Sequence, residues 1–112
     1  MRWQRAVDEA LAPLKLAHTR YLLLDAADRL DREGGDGLKQ RALVEATHLG
    51  EPAVSSAVRA LEDQGLLGRT AHEGDARRWS VHVTAAGTRA LTKARPVVEA
   101  LAMKFSAEIS ES

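Results

Sequence analysis

Apolar residues recur at steps of three and four through most of the chain, which is the spacing of helices that bury one face. The first such segment runs to Leu14, and Pro13 should end the helix or bend the chain there. A second segment, from His18 to Glu33, has a broader apolar sector and is predicted to be a central core helix. The glycine-rich stretch 34–37 then breaks the chain.

Two shorter helical segments follow and meet across Gly50. The first covers Leu38 to Leu49, and the second covers Glu51 to Gly65. Pro52 suits the first position of the second helix, and Gly65 suits a left-handed cap at its end. Two short helices joined by a tight glycine turn are typical of a helix-turn-helix, in which the first helix braces the second across the DNA backbone.

The second of these helices has an outer face of small and polar residues. Its inward stripe is apolar and consists of Val54, Ala57, Val58 and Leu61. Its outer face carries Ala53, Ser55, Ser56 and Arg59. Small side chains let the backbone approach a partner closely, as a helix in the major groove requires. On this segment alone, an ordinary surface helix is an equally good interpretation.

The only strand-like patterns come directly after this helix. Leu66 to His72 and Trp79 to Thr84 are predicted to be strands, joined by the polar stretch 73–78, which is too charged to belong to a core. A β-hairpin that follows a helix-turn-helix makes a winged helix.

The last segment, from Ala85 to Ile109, is predicted to be a helix that Thr84 caps and Pro96 kinks. Its apolar residues follow the spacing of a helix that packs along another helix: Leu91, Ala94, Val98, Leu101, Phe105 and Ile109. This stripe either closes onto its own domain or meets a second copy of the chain. In so small a chain, the intermolecular contact with the N-terminal helix is the favoured interpretation.

Two short motifs in this region are fairly specific when taken together. A helix ends in Leu61-Glu62-Asp63-Gln64-Gly65-Leu66, and the hairpin carries Asp75-Ala76-Arg77 followed by Val83-Thr84-Ala85-Ala86-Gly87. With these motifs, residues 16–91 resemble the MarR family of bacterial winged-helix transcription regulators.

The resemblance implies a mainly α fold with a small β-hairpin (α+β) and a single winged-helix domain over residues 1–112. Its parts would be the helix-turn-helix 38–65, the wing 66–84 and the terminal dimerisation helices 1–14 and 85–109. MarR-like proteins are homodimers joined through their terminal helices. The predicted dimer interface therefore comprises Trp3, Val7, Leu11, Leu91, Val98, Leu101, Phe105 and Ile109. This chain is short at both ends, which leaves the size of that interface open.

The predicted activity is sequence-specific binding of double-stranded DNA, as a repressor on a pseudo-palindromic operator. In the resembled family the wing arginine enters the minor groove and its aspartate neighbour shapes the wing, roles that fall here on Arg77 and Asp75. The predicted DNA-binding residues are Lys39, Gln40, Pro52, Ala53, Ser55, Ser56, Arg59, Arg69, Asp75, Arg77 and Arg78. The chain lacks the basic residues that MarR-like recognition helices often carry at Ser56 and Ala60.

Composition narrows the remaining possibilities. The 112 residues are 45% hydrophobic and 29% charged, as in an ordinary single globular domain. The chain has no cysteine, which excludes disulfides, Cys-based zinc sites and thiol redox sensing. No apolar run suits a signal peptide or a membrane span, so the expected location is cytoplasmic. The formal net charge of +0 counts against DNA binding unless the charges are distributed unevenly.

Other chemistry receives little support from the residues. The four histidines lack metal-site spacing, no nucleophile motif is present, and neither an enzyme nor a cofactor is expected. The resemblance does imply a small lipophilic or phenolic effector, bound between the dimerisation helices and the winged helix. Trp3, Tyr21 and Leu24 are candidates for lining such a cleft, although core packing is the commoner role of a buried aromatic. The alternative function is a winged-helix module for protein interaction or plasmid maintenance.

Overall fold

The computed structural model describes residues 2–32, 39–72 and 75–111, and their side chains over 2–32, 39–70 and 80–107. Its elements in chain order are α1 (Arg2–Leu11), a 3-10 turn (Ala12–Leu14), α2 (His18–Arg32), α3 (Gln40–Thr47), α4 (Glu51–Asp63), β1 (Leu67–His72), β2 (Asp75–Val83) and α5 (Ala85–Glu111). The predicted mainly α fold with one antiparallel hairpin is therefore confirmed.

One apolar core joins all the helices and both strands. Its buried members are Val7, Leu11, Leu16, Tyr21, Leu23, Leu24, Ala27, Leu43, Val54, Ala57, Val58, Leu61, Leu67, Val81, Leu91 and Ala94. The four inward residues predicted for α4 all belong to it. Because the burial of apolar surface is the main favourable term in folding, this core determines how the helices lie against one another.

The core corrects part of the predicted dimer interface. Val7, Leu11 and Leu91 were assigned to a contact between two copies, but each is 0% exposed inside this chain. The terminal helices meet each other instead, with Trp3 edge-on to Phe105 at a ring-centroid distance of 5.2 Å. Helical spacing identifies a buried face without saying which helix covers it. Here α1 and α5 of the same chain cover each other.

Local signals set the helix ends. The helix α1 stops before Pro13, and Lys15 closes the following turn in the left-handed region at φ 58°. Between α3 and α4, the left-handed residue is His48, also at φ 58°, whereas Gly50 has an ordinary φ of −64°. The hydroxyl of Thr47 accepts a hydrogen bond from the Leu49 amide at 3.4 Å. The predicted turn is confirmed, but a histidine and not the glycine makes its unusual bend.

The end of α4 is a complete helix-ending motif. The Gly65 amide donates to the Glu62 carbonyl and the Leu66 amide donates to the Leu61 carbonyl, both at 2.9 Å. Gly65 has φ 76°, a conformation that costs glycine little. The carbonyls that a helix end leaves without partners are thereby satisfied, and the chain turns directly into β1.

The start of α5 is tied to this same turn. The Thr84 hydroxyl accepts a hydrogen bond from the Gly87 amide at 3.0 Å, which confirms the predicted helix cap. It also donates to the Gly65 carbonyl at 2.7 Å, and the Thr84 amide donates to the Leu66 carbonyl at 3.1 Å. We call this contact between residues 65–66 and 84–87 the wing-base junction. The two sequence motifs that carried the family resemblance meet here.

The hairpin differs from its prediction in one strand. Register runs from Leu67 opposite Val83 to Ala71 opposite Trp79, and then shifts so that His72 lies opposite Asp75. Residues 75–78 were assigned to the connecting loop, but their backbone belongs to β2. Charged side chains concealed this strand, because the edge of a two-stranded ribbon can be solvated on both faces.

Charged side chains connect α5 to α2. Arg95 donates to Asp25 Oδ1 from Nε at 3.0 Å and from Nη2 at 2.8 Å, and to Asp28 Oδ2 at 2.8 Å. Asp28 is only 6% exposed, so its charge needs this partner. The hydrogen bond to Asp28 and the neighbouring Asp25 raise the pKa of Arg95. The single helix α5, which continues through Pro96, is thus held to α2 by both apolar and charged contacts.

We predict that Gly87→Ala destabilises the fold, although alanine normally favours a helix over glycine. A Cβ at residue 87 would lie 2.2 Å from the Leu66 carbonyl oxygen and 2.9 Å from Val83 Cγ1. The expected loss is about 1–3 kcal/mol of unfolding free energy, the usual cost of overpacking. Urea denaturation measures it. The control Ala85→Gly, at an exposed position nearby, should lose no more than about 1 kcal/mol. A stabilised Gly87→Ala would contradict the close packing of the wing-base junction.

Candidate nucleic-acid interface

The helix α4 presents its outer face to solvent as predicted. Ala53, Ser56 and Arg59 are exposed, Ser55 is half-buried, and the opposite side of the helix lies in the core. Pro52 occupies the first turn, where its missing amide proton removes no intrahelical bond. The fold therefore displays a short rigid helix whose exposed side chains are mostly small.

Arg59 is the long cationic side chain on this face. Within the described part of the chain, it forms no ion pair with a carboxylate. Arginine can donate two parallel hydrogen bonds to guanine in the major groove, and small neighbours leave room for the helix to approach. Lys39, exposed, and Gln40, half-buried, lie at the start of α3 next to it in the helix-turn-helix.

Arg69 has a role that the sequence did not suggest. Predicted to contact DNA, it forms an ion pair and hydrogen bond from β1 to Glu62 near the end of α4. This pair fixes the first strand of the wing against one flank of α4. Because its charge is balanced within the chain, we leave Arg69 out of the proposed DNA contacts.

The wing carries the other predicted contacts. Asp75, Arg77 and Arg78 lie in the first half of β2, and their side chains fall outside the described ones. Closer to the wing base, the ring of His82 lies over Gly68, where an added Cβ would come within 2.5 Å of Nε2. The nearby Thr70 hydroxyl is 3.3 Å from His82 Nδ1. Glycine at residue 68 thus allows the histidine to pack flat across the two strands.

A second feature, on the other flank of α4, was missed by sequence reasoning. Arg20 Nη1 donates to Gln64 Oε1 at 3.3 Å, and Gln64 Nε2 donates to the Lys15 carbonyl at 2.8 Å. Arg20 also lines a groove of about 260 Å³ between the first turn of α2 and α4, whose lining residues are Ala17, Thr19, Arg20, Ala53, Ser56, Ala57 and Ala60. No local pattern could have revealed it, since Arg20 and Gln64 are 44 positions apart.

The candidate ligand cleft is corrected by the core. Leu24 is 0% exposed and Tyr21 is 7% exposed, so both serve as core residues of α2. Burial and the neighbouring Asp25 raise the pKa of the Tyr21 phenol. The Trp3 ring packs edge-on against Phe105 instead of lining an open cavity with Tyr21 and Leu24. Core packing, the commoner role of a buried aromatic, holds for Tyr21, and Leu24 is likewise a core residue.

Comparison with known proteins agrees with this geometry. A curated relative in Bacillus subtilis (strain 168), the uncharacterised HTH-type transcriptional regulator YdcH, is 31% identical over 105 residues, which cover 94% of this chain and 71% of YdcH. The crystal structure of CouR from Rhodococcus jostii RHA1 bound to p-coumaroyl-CoA has a TM-score of 0.71 at 29% identity, covering 88% of this chain and 66% of CouR.

A third likeness shows the fold in a DNA-bound protein. The S. aureus MepR–DNA complex has a TM-score of 0.83 at 19% identity, covering 96% of this chain and 76% of MepR. The chain therefore spans roughly two thirds to three quarters of the length of these three proteins. A model described as "MarR family" matches residues 19–78, which include the helix-turn-helix and the start of the wing. This chain belongs to the MarR family of winged-helix, DNA-binding transcription regulators.

Proposed function

We propose that the protein is a sequence-specific repressor that binds a pseudo-palindromic operator as a homodimer. Each α4 lies in a major groove, with half-sites about one helical turn, roughly 10 base pairs, apart. The observation that carries this proposal is the outer face of α4, where Arg59 stands among small side chains and forms no ion pair with any described carboxylate. The wing residues Arg77 and Arg78 contact the adjacent minor groove or its phosphates.

The zero net charge is compatible with this proposal because several acidic side chains are paired within the chain. Glu62 pairs with Arg69, and Asp25 and Asp28 pair with Arg95 and with their neighbours on α2. In contrast, four cations form no ion pair with a described carboxylate: Lys15 just before α2, Arg20 on its first turn, Lys39 just before α3, and Arg59 on α4. The local distribution of charge therefore matters more than the net charge.

The homodimer would use the outward side of α1 and α5, beyond the contact that closes these helices on each other. A groove of about 590 Å³ runs between them and is lined by apolar residues, three cations and one carboxylate: Arg2, Arg5, Ala6, Glu9, Ala10, Leu101, Lys104 and Phe105. Val98, Leu101 and Phe105 are half-buried and retain surface for a partner. The side chain of Ile109, also predicted here, lies outside the described ones.

An effector is proposed from the relatives. CouR is described as bound to p-coumaroyl-CoA, which is an aromatic acyl thioester. A small lipophilic or phenolic molecule that lowers DNA affinity would suit a repressor of this family.

None of the described helices is long and apolar enough to cross a membrane.

Arg59→Ala tests whether α4 reads bases. We expect a loss of about 1–3 kcal/mol on the cognate duplex and much less on a scrambled duplex, because a bidentate contact to guanine exists only at the correct base. A competition titration of both duplexes at fixed salt measures the difference. Ser56→Lys should instead raise affinity for both duplexes and lower discrimination.

Two outcomes would oppose this reading of Arg59. Equal losses on both duplexes would mean that Arg59 touches only phosphate. No loss on either would mean that α4 does not read DNA. Specific DNA binding should weaken steeply as salt rises. If the wild-type protein shows no such salt-dependent binding to any duplex, a role in protein interaction or plasmid maintenance becomes the better proposal.

Arg77→Ala tests the wing. If Arg77 neutralises a phosphate, its loss should weaken binding and reduce the slope of log affinity against log salt by about one unit. If Arg77 reads groove shape, the preference for narrow A·T sequence should relax instead. Circular dichroism should show an unchanged fold. Parent-like affinity, slope and preference would exclude the wing arginine from the DNA interface.

The dimer is tested by replacing both Leu101 and Phe105 with glutamate, which should give a monomer in sedimentation because two charges would then lie on the proposed contact. The control Met103→Glu alters a residue that is 74% exposed and points away from this stripe of α5, so it should leave the dimer intact. An unchanged dimer in the double variant, or a monomer from Met103→Glu, would place the interface elsewhere.

A further inference from the structure

We infer that Arg20, on the first turn of α2, is a further DNA-contact residue. It binds the phosphate strand on the side of α4 opposite the wing. This inference rests on the proposed function, since it assumes that α4 enters the major groove. It adds a contact that comes from outside both the helix-turn-helix and the wing.

The two flanks of α4 are occupied by different elements. On one flank, Glu62 binds Arg69 of β1, so this side leads to the wing. On the other flank, Ala53, Ser56 and Ala60 face the first turn of α2 across the 260 Å³ groove, and Gln64 continues the same row. A helix in the major groove has one phosphate strand beside each flank. The wing covers one strand, and Arg20 is the long cation nearest the other.

The side chain of Arg20 is held in position without losing its charge. Its only hydrogen-bond partner among the described residues is the neutral amide oxygen of Gln64, at 3.3 Å. That amide is itself fixed by its bond to the Lys15 carbonyl. Arg20 is half-buried, which limits its freedom before DNA arrives. A partly ordered guanidinium loses less entropy on binding a phosphate, and its remaining N–H groups stay available to do so.

The surroundings favour an anion over a protein surface as the partner. The exposed Lys15 adds a second positive charge, and Thr19 and Ser56 supply hydroxyl groups that can donate to phosphate oxygens. One carboxylate, Asp8, lies in the adjoining depression, where Oδ1 accepts a 2.6 Å hydrogen bond from the His18 amide. Alanine residues line the rest of the groove wall, so no bulky side chain blocks the approach of a sugar–phosphate backbone.

The test compares Arg20→Ala and Arg20→Gln with Arg29→Ala. Arg29 is on the same helix nine positions later, on the opposite face, and is 73% exposed. The probes are a duplex selected from a random pool by the wild-type protein and a scrambled duplex of the same composition. Both Arg20 variants should weaken binding to both duplexes by about three- to tenfold and reduce the salt slope by about one. Arg29→Ala should match the parent in affinity and slope.

Glutamine at residue 20 can still donate to Gln64, so Arg20→Gln separates the loss of charge from any loss of folding. Gln64→Glu provides an independent variant, because a carboxylate beside Arg20 neutralises it without removing it. If Gln64→Glu acts by neutralising Arg20, it should weaken DNA binding in the parent protein. The same substitution should cause a much smaller further loss of affinity in the Arg20→Gln background. Thermal melts should show that each variant is folded at the assay temperature.

The outcomes distinguish this inference from the proposed function. If the random pool yields no bound duplex, the proposed function itself fails. If the pool does yield one, but Arg20→Gln equals Arg29→Ala in affinity and slope, Arg20 is not at the interface and the inference is overturned. A loss confined to the selected duplex would also overturn it, because a phosphate contact is made on any sequence.

Discussion

The hydrogen bonds of Thr84 hold the base of the wing at the end of α4, and the Arg69–Glu62 pair holds its first strand beside that helix. Thr84 Oγ1 caps α5 through the Gly87 amide and donates to the carbonyl of Gly65, the residue that ends α4. Strand β1 leaves this point at Leu67 and β2 returns to it at Val83, so both ends of the hairpin are fixed beside the end of α4. Because Gly87 has no Cβ, the start of α5 can approach the Leu66 carbonyl closely. A regulator that binds with both helix and wing needs this fixed relation.

Ion pairs also connect separate elements of the chain. The core side of α2 holds Asp25 and Asp28 against Arg95 of α5, and Glu62 holds Arg69 on the wing. These pairs orient elements within the chain and neutralise the three carboxylates involved. Arg59 and Arg20, by comparison, lie on or beside α4 without a described carboxylate partner. The absence of net charge therefore says little about the local potential at α4.

Packing of α1 on α5 changes what a dimer of this chain would require. Val7, Leu11 and Leu91 already contribute to the core of one chain, so a partner could use only the outward strip around Leu101 and Phe105. The two terminal helices would then act as a preformed unit. Within one chain, α5 is joined to α2 through Arg95 and to the base of the wing through Thr84.

Features that depend on neighbouring residues could be predicted from the sequence. Pro13, Gly65 and Thr84 are local stop, cap and start signals, and the inward face of α4 follows from the spacing of four apolar residues, so these predictions were confirmed. Which surfaces meet depends on contacts between residues far apart in the chain. Periodicity indicates that Leu91 is buried but not that its own chain covers it completely. Likewise, the sequence assigned Arg69 to DNA and gave no role to Arg20, because their partners, Glu62 and Gln64, are brought to them by folding alone.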